Sequence, residues 1–151
     1  MTTIACNKQE IAGDLQYTDM NNASKFKGSP KVYKFEKHKD TYPHCDFYVG
    51  FAGTAQDIIV TAEFFSRPHQ FDKPPKVKGL IGLVLTEEGE IFTFDSYDKW
   101  LKVNEPFGAI GSGQGIAMGA MMAGATPTEA IKIASKKDTY TGMGVKTYKI
   151  K

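Results

Sequence analysis

The sequence has only two cysteines, a single tryptophan and no long apolar run, and each shortage narrows what the chain can be. Cys6 and Cys45 are too few for a disulfide framework, so buried thiols are expected in place of a structural bridge. No stretch approaches the ~20 consecutive apolar residues that cross a bilayer, and no membrane helix is expected. The opening MTTIACNKQE lacks the basic and apolar progression of a secretion signal, which makes cytoplasmic residence the expectation. A phosphate-binding Gly-x-x-x-x-Gly-Lys-Ser/Thr loop is also missing; Gly111-Ser112-Gly113-Gln114-Gly115 resembles an anion cradle without the lysine, which argues against an ATPase. His38, His44 and His69 have no ligand spacing, and His44 beside Cys45 does not make a metal site, so no cofactor is expected.

What is present suits one folded domain spanning residues 1–151, with 41% hydrophobic and 24% charged residues. The net charge of +2 conceals a basic stretch from Lys25 to Asp40, in which lysines alternate with Phe26, Tyr33 and Phe35. Alternation of this kind is the pattern of a strand with one solvated face. With no arginine-rich cluster and no recognition helix, nucleic acid is not the expected partner.

Strands are expected at Thr3–Cys6 and Ile11–Gly13 around a polar Asn7–Glu10 turn, placing Asp14 just beyond the second strand and back toward the chain start. Another is expected at Lys31–Phe35 after the Gly28-Ser29-Pro30 turn, and another over Cys45–Gly53. Thr54 caps a helix reaching about Phe65, which Pro68 and Pro74-Pro75 prevent from continuing. Leu80–Leu85 and Glu90–Phe94 flank a Thr86–Gly89 hairpin turn, and a third strand covers Trp100–Val103. Phe107–Gly113 leads into a helix from Gln114 to about Ala125, for which Ser112 is a candidate cap. Thr126-Pro127 with Glu129 opens a second helix to Ser135, and Gly142–Lys151 closes the chain with a strand. Met118, Met121 and Met122 are expected to pack adaptably against a sheet or a neighbouring subunit.

The pattern of greatest chemical interest is Met1-Thr2-Thr3. A methionine before a small residue is readily trimmed, and Thr2 would then carry a hydroxyl and a free amine, a nucleophile and its base in one residue. Read with Ala12-Gly13-Asp14, Gly28 to Val32, Val49 to Gly53, Ile110-Gly111-Ser112-Gly113-Gln114 and Asp138-Thr139-Tyr140-Thr141-Gly142, it resembles the proteasome β-type peptidases. That group includes the bacterial HslV peptidase, within the N-terminal-nucleophile hydrolase superfamily. Order and spacing agree over nearly the whole chain.

The resemblance implies an α+β fold, a four-layer αββα sandwich thinned on one side by a single short helix. It implies Thr2 as nucleophile, with Lys31 lowering its hydroxyl pKa and Asp14 orienting Lys31 and offsetting its charge. It assigns the Gly50 amide to the oxyanion, and Ser112, Asp138 and Thr141 to holding the amine and its water. Threonine stands at 141 where the family commonly has serine. Tyr17, Thr18, Tyr48 and Ala52 would line the substrate cleft. Lys27 is the rival to Lys31 but precedes the turn. The implied partners are unfolded polypeptide or peptide substrates, further copies of the chain in a ring, and an ATPase unfoldase. Two other readings stay open: a catalytically silent structural protein on the same fold, and a small-molecule amidase with a closed polar pocket. A retained Met1 would remove the base and favour the first.

Overall fold

Successive side chains along the first strand go to opposite faces, and this alternation organises the interior. A computed structural model of the chain describes residues 2–18, 24–37, 43–95 and 99–151; Met1 and His38 lie outside them. The strand β1 (Thr3–Asn7) sends Ile4 and Cys6 into one apolar cluster and Ala5 into another. β1 pairs antiparallel with β2 (Glu10–Asp14), setting Ile4 opposite Gly13, Ala5 opposite Ala12 and Cys6 opposite Ile11. Both strands run further than the expected turn allows, because the Asn7 side chain itself closes the connection, accepting from the Gln9 and Glu10 amides at 2.8 Å each.

The described residues form three sheets and three helices. After β3 (Gln16–Thr18) and β4 (Lys25–Lys27), which make a two-stranded sheet, come β5 (Val32–Phe35) and β6 (Phe47–Ala52). The helix α1 (Ala55–Ser66) begins at Thr54, whose hydroxyl accepts from the Asp57 amide at 3.2 Å. A single 3-10 turn at Pro68–Gln70 follows it, consistent with the proline-rich sequence there. The remaining elements are β7 (Ile81–Thr86), β8 (Ile91–Phe94), β9 (Leu101–Val103), β10 (Phe107–Gly111), α2 (Gln114–Met122), α3 (Pro127–Ser135) and β11 (Val145–Lys149). One sheet has the order β10-β1-β2-β11 and another β5-β6-β7-β8-β9, all antiparallel.

Three apolar clusters hold these elements together. Ile58, Ala62 and Phe65 of α1 pack with Phe47, Val49, Phe51, Val84 and Phe94 of the five-stranded sheet. Ile4, Cys6, Ile11 and Ile110 of the four-stranded sheet meet Val32, Ala52, Leu83 and Leu85 of the five-stranded one. Ala5 and Ala12, from the other face of β1 and β2, meet Ala117 and Met121 of α2 and Ala130 and Ile131 of α3. The capping box at Thr126 and Glu129 forms as the sequence predicts. The preceding helix ends at Met122, earlier than expected, because Gly124 turns out of the helix at φ +105°. Of its methionines, Met121 enters the core and Met118 packs against it, while Met122 is 74% exposed. Cys6 is buried as expected; Cys45 is only half-buried, and neither is bridged.

Gly50, in the middle of β6, sets how closely the two larger sheets approach. A Cβ there would lie 2.3 Å from Ile4 Cγ2, closer than atoms can pack. Gly50→Ala is therefore expected to destabilise the protein by about 1–3 kcal/mol in denaturant unfolding. The loss should shrink in an Ile4→Ala background, which removes the clashing methyl; an undiminished loss would mean that the sheets do not meet at this pair.

Candidate active site

Thr2, Asp14 and Lys31, distant in sequence, meet where β1 starts, β2 ends and β5 is about to begin. The antiparallel register of β1 and β2 carries Asp14 back to the first residues of the chain. The Thr3 amide donates to Asp14 Oδ1 at 3.1 Å, and the Thr2 hydroxyl donates to the same oxygen. Lys31 Nζ donates to Thr2 Oγ1 at 2.6 Å and to Asp14 Oδ1 at 3.2 Å, and its remaining proton goes to the backbone carbonyl of Gln16. Asp14 Oδ2 accepts from the Gln16 and Gly142 amides at 3.3 and 3.1 Å. All three residues are buried, Asp14 completely and Lys31 to 2% exposure.

Taking two charges out of water is costly unless they are paired and fully hydrogen-bonded, and here both conditions hold. Burial pushes the Asp14 carboxyl above its ordinary value and the Lys31 ammonium below its own, with the attraction between the two opposing each shift. The directions converge. Proton exchange between the Asp14 carboxylate and the Lys31 ammonium is easier than their ordinary values would allow.

A second group lies beside the first. The Ser112 amide donates to the Thr2 carbonyl at 2.8 Å and the Ser112 hydroxyl to Asp138 Oδ2 at 2.5 Å. Thr141 Oγ1 also donates to Asp138 Oδ2, and it shares a 2.6 Å hydrogen bond with Thr3 Oγ1. Ser112 does not cap α2 through its side chain; the cap is Gly113, and the serine hydroxyl is taken by Asp138. Gly111 permits this crowding: its φ is +96°, and a Cβ there would sit 1.8 Å from the Thr2 carbonyl oxygen.

The remaining predicted residues divide. The Tyr17 ring lies 4.7 Å beneath Lys31 Nζ and stacks on Phe26, while Thr18 Oγ1 accepts from the Gln16 side chain at 3.3 Å. Ala52 ends β6 at this end of the sheet. Lys27 is exposed on β4 and plays no part. Tyr48 is not a cleft residue: it is 3% exposed, its hydroxyl donates to Glu87 and its ring packs on Tyr148. It lies three residues along β6 from Phe51, the neighbour of Lys31, which is roughly 10 Å away at the rise of a strand.

Gly50 is also displaced from its expected role. The Phe51 amide donates to the Lys31 carbonyl, so by antiparallel alternation the Gly50 amide points the other way, into the ladder with Leu83. It is not free to meet a substrate. Thr3 and Gln16 are the site residues that the sequence did not disclose. Thr3 had a readable signal, since strand alternation turns its side chain toward the helical face and the Gly113 amide, which donates to it at 3.0 Å.

No family model matches the chain, and no curated protein matches it by sequence. The solved structures do. BPH from Thiobacillus denitrificans in complex with epoxomicin is 17% identical with a TM-score of 0.68, covering 99% of this chain and 98% of that one. The eukaryotic HslV from Trypanosoma brucei is 19% identical with a TM-score of 0.66 and 97% coverage of both. The Anbu (Gly-1) mutant from Hyphomicrobium sp. strain MC1 is 9% identical with a TM-score of 0.70, covering 99% of this chain and 81% of that chain. The chain has the proteasome-like Ntn-hydrolase fold. Within that fold, no helix among the described residues is long and apolar enough to cross a membrane.

Removing one partner of the buried pair tests its energetics. Lys31→Met strands the Asp14 carboxylate and is expected to cost about 3–5 kcal/mol at pH 8, read by chemical denaturation. Without the lysine the folded-state pKa of Asp14 rises further, so the folded protein binds its proton more readily than the unfolded one. The loss should therefore shrink as pH falls through that raised pKa; a loss independent of pH would show that Asp14 is not the stranded charge.

Proposed function

We propose that the protein is a threonine peptidase that hydrolyses peptide bonds in unfolded polypeptides, with Thr2 as nucleophile once the bond between Met1 and Thr2 is cleaved. The observation that carries this reading is the convergence of a buried lysine, a buried carboxylate and the Thr2 hydroxyl within hydrogen-bond reach. A solvated threonine hydroxyl is a poor nucleophile. An adjacent ammonium stabilises its alkoxide form, and the α-amine released by cleavage supplies the base.

In this mechanism Thr2 Oγ attacks the substrate carbonyl and its proton passes to the α-amine, directly or through a water held by Ser112, Asp138 and Thr141. The proton then goes to the departing amine of the substrate, leaving an ester on Thr2. Water attacks that ester with the α-amine again as base, releasing the acid and restoring the hydroxyl. Asp14 holds Lys31 protonated against the cost of burial. We assign the oxyanion donor to the Gly53 amide in place of Gly50. It lies just beyond the end of β6, where continued strand alternation would turn it to the same edge as the Phe51 amide, and it has no hydrogen-bond partner among the described residues.

We read the three clusters as a four-layer αββα sandwich, with α1 alone on one side and α2 with α3 on the other. Tyr17 and Thr18 line the cleft in this reading, whereas Ala52 is buried between the sheets like Tyr48. Further copies of the chain would form a ring enclosing the clefts, with an ATPase unfoldase as the partner that feeds them. A cytoplasmic location suits all three.

The experiment is intact-mass measurement of the native protein together with peptide hydrolysis before and after Thr2→Ala. Loss of Met1 and at least a ~10³-fold fall in turnover in the variant are expected. Full activity with Met1 attached would sink the mechanism. A pH profile adds a second check. If Lys31 acts as a cation, kcat/KM falls on the alkaline side below the ordinary lysine value of 10.5. Asp14 raises the Lys31 pKa, so Asp14→Asn should move that limb to still lower pH, and a limb that stays in place would remove Lys31 from its role.

A further inference from the structure

Gln16 touches the site through its amide, its carbonyl and its side chain, yet has so far been given no role. It is 4% exposed, its amide donates to Asp14 Oδ2 at 3.3 Å, and its carbonyl accepts from Lys31 Nζ. Its side-chain Nε2 donates to the Thr139 carbonyl at 2.8 Å and to Thr18 Oγ1 at 3.3 Å. A primary amide has two N–H protons and here meets two acceptors, a demand that neither a carboxylate nor an apolar side chain can meet. Its Oε1 packs against Gly142, where a Cβ would come within 2.8 Å of it.

This side chain adds to the backbone hydrogen bond from the Leu15 amide to the Gly142 carbonyl in holding a short segment to the neighbouring loop. β3 and β4 are three residues each and form a sheet of their own, and an isolated two-stranded hairpin is marginal in water. The Gln16 carbonyl that receives the Lys31 proton belongs to that hairpin. The 138–142 loop carries Asp138, Thr141 and the Gly142 amide bound to Asp14. We propose that Gln16 is a positioning residue: its side-chain amide ties β3 to the Thr139 carbonyl, locking the carbonyl that holds Lys31 and the loop that holds Asp138 and Thr141 into one unit. The inference rests on the peptidase reading for its kinetic consequence and on geometry alone for the coupling.

The test compares processed wild-type protein with Gln16→Glu, which keeps the shape but sets a carboxylate against the Thr139 carbonyl, and with Gln16→Met, which keeps the length without the donor. In both, kcat is expected to fall roughly 10–100-fold with KM nearly unchanged, as misplacement of reacting groups predicts. In Gln16→Met, which adds no charge, the alkaline limb of kcat/KM should move to lower pH as Lys31 loses a fixed acceptor. Hydrogen exchange at the Gly142 amide should quicken by about tenfold or more, while the amides of Ala5 and Ala12 keep their protection. Unchanged Gly142 exchange in both variants overturns the coupling. So does exchange that quickens equally across the sheet with kcat per folded molecule retained, since that marks mere loss of stability. An inactive processed wild type would sink the peptidase reading and leave the exchange measurement to decide the coupling by itself.

Discussion

The rest of the structure is arranged around the cost of keeping one lysine and one aspartate away from water. Neither charge is tolerable alone in an interior of low dielectric, and neither survives without acceptors and donors for its remaining valences. Lys31 has three protons and finds Thr2 Oγ1, Asp14 Oδ1 and the Gln16 carbonyl; Asp14 gathers the Thr3, Gln16 and Gly142 amides besides. The partners come from β1, β2, β3, the approach to β5 and the segment before β11. That explains why the site sits where so many chain segments end: strand ends supply backbone groups that no ladder has claimed.

Close approach of the sheets is the second requirement, and small residues meet it. Gly13 and Gly50 leave room for the Ile4 side chain, and at Gly13 for Val32, the residue next to Lys31. A lysine reaches Thr2 only if the two sheets press together at this end. Packing there and assembly of the Thr2–Asp14–Lys31 group are thus the same geometrical condition, and a substitution that separates the sheets would act on both.

Much of this was legible in the sequence, for reasons that differ by residue. Strand alternation and turn chemistry located β1, β2, β7, β8 and the capped helix α3 to within a residue or two. Thr2, Asp14 and Lys31 were legible because each is a side chain whose chemistry matches a known pattern. Gln16 was not, because half its work is done by a backbone carbonyl, which every residue has. Gly50 and Tyr48 were misplaced by taking a strand neighbourhood for a cleft: a stretch rich in glycine and aromatics does not say which amide lies inside the ladder. Only the register, with the Phe51 amide on Lys31, separates Gly50 within the sheet from Gly53 beyond it. Ser112 was read both as a helix cap and as a site residue with Asp138 and Thr141; its hydroxyl goes to Asp138 and does not cap the helix.

The pattern of backbone contacts also bears on how an N-terminal nucleophile can be released without rebuilding the fold. The Thr2 carbonyl is held by the Ser112 amide, and the Thr3 amide by Asp14. From Thr3 onward β1 is paired with β10, and from Ile4 to Cys6 with β2 as well. None of these bonds uses the Thr2 nitrogen or anything before it. The proposed cleavage of the bond preceding Thr2 would therefore add a charge and a base to the site while leaving intact the bonds that orient the Thr2 side chain. In the proposed mechanism the hydroxyl is aligned by Lys31 and Asp14 independently of that amine, so the step that would create the base need not also create the geometry.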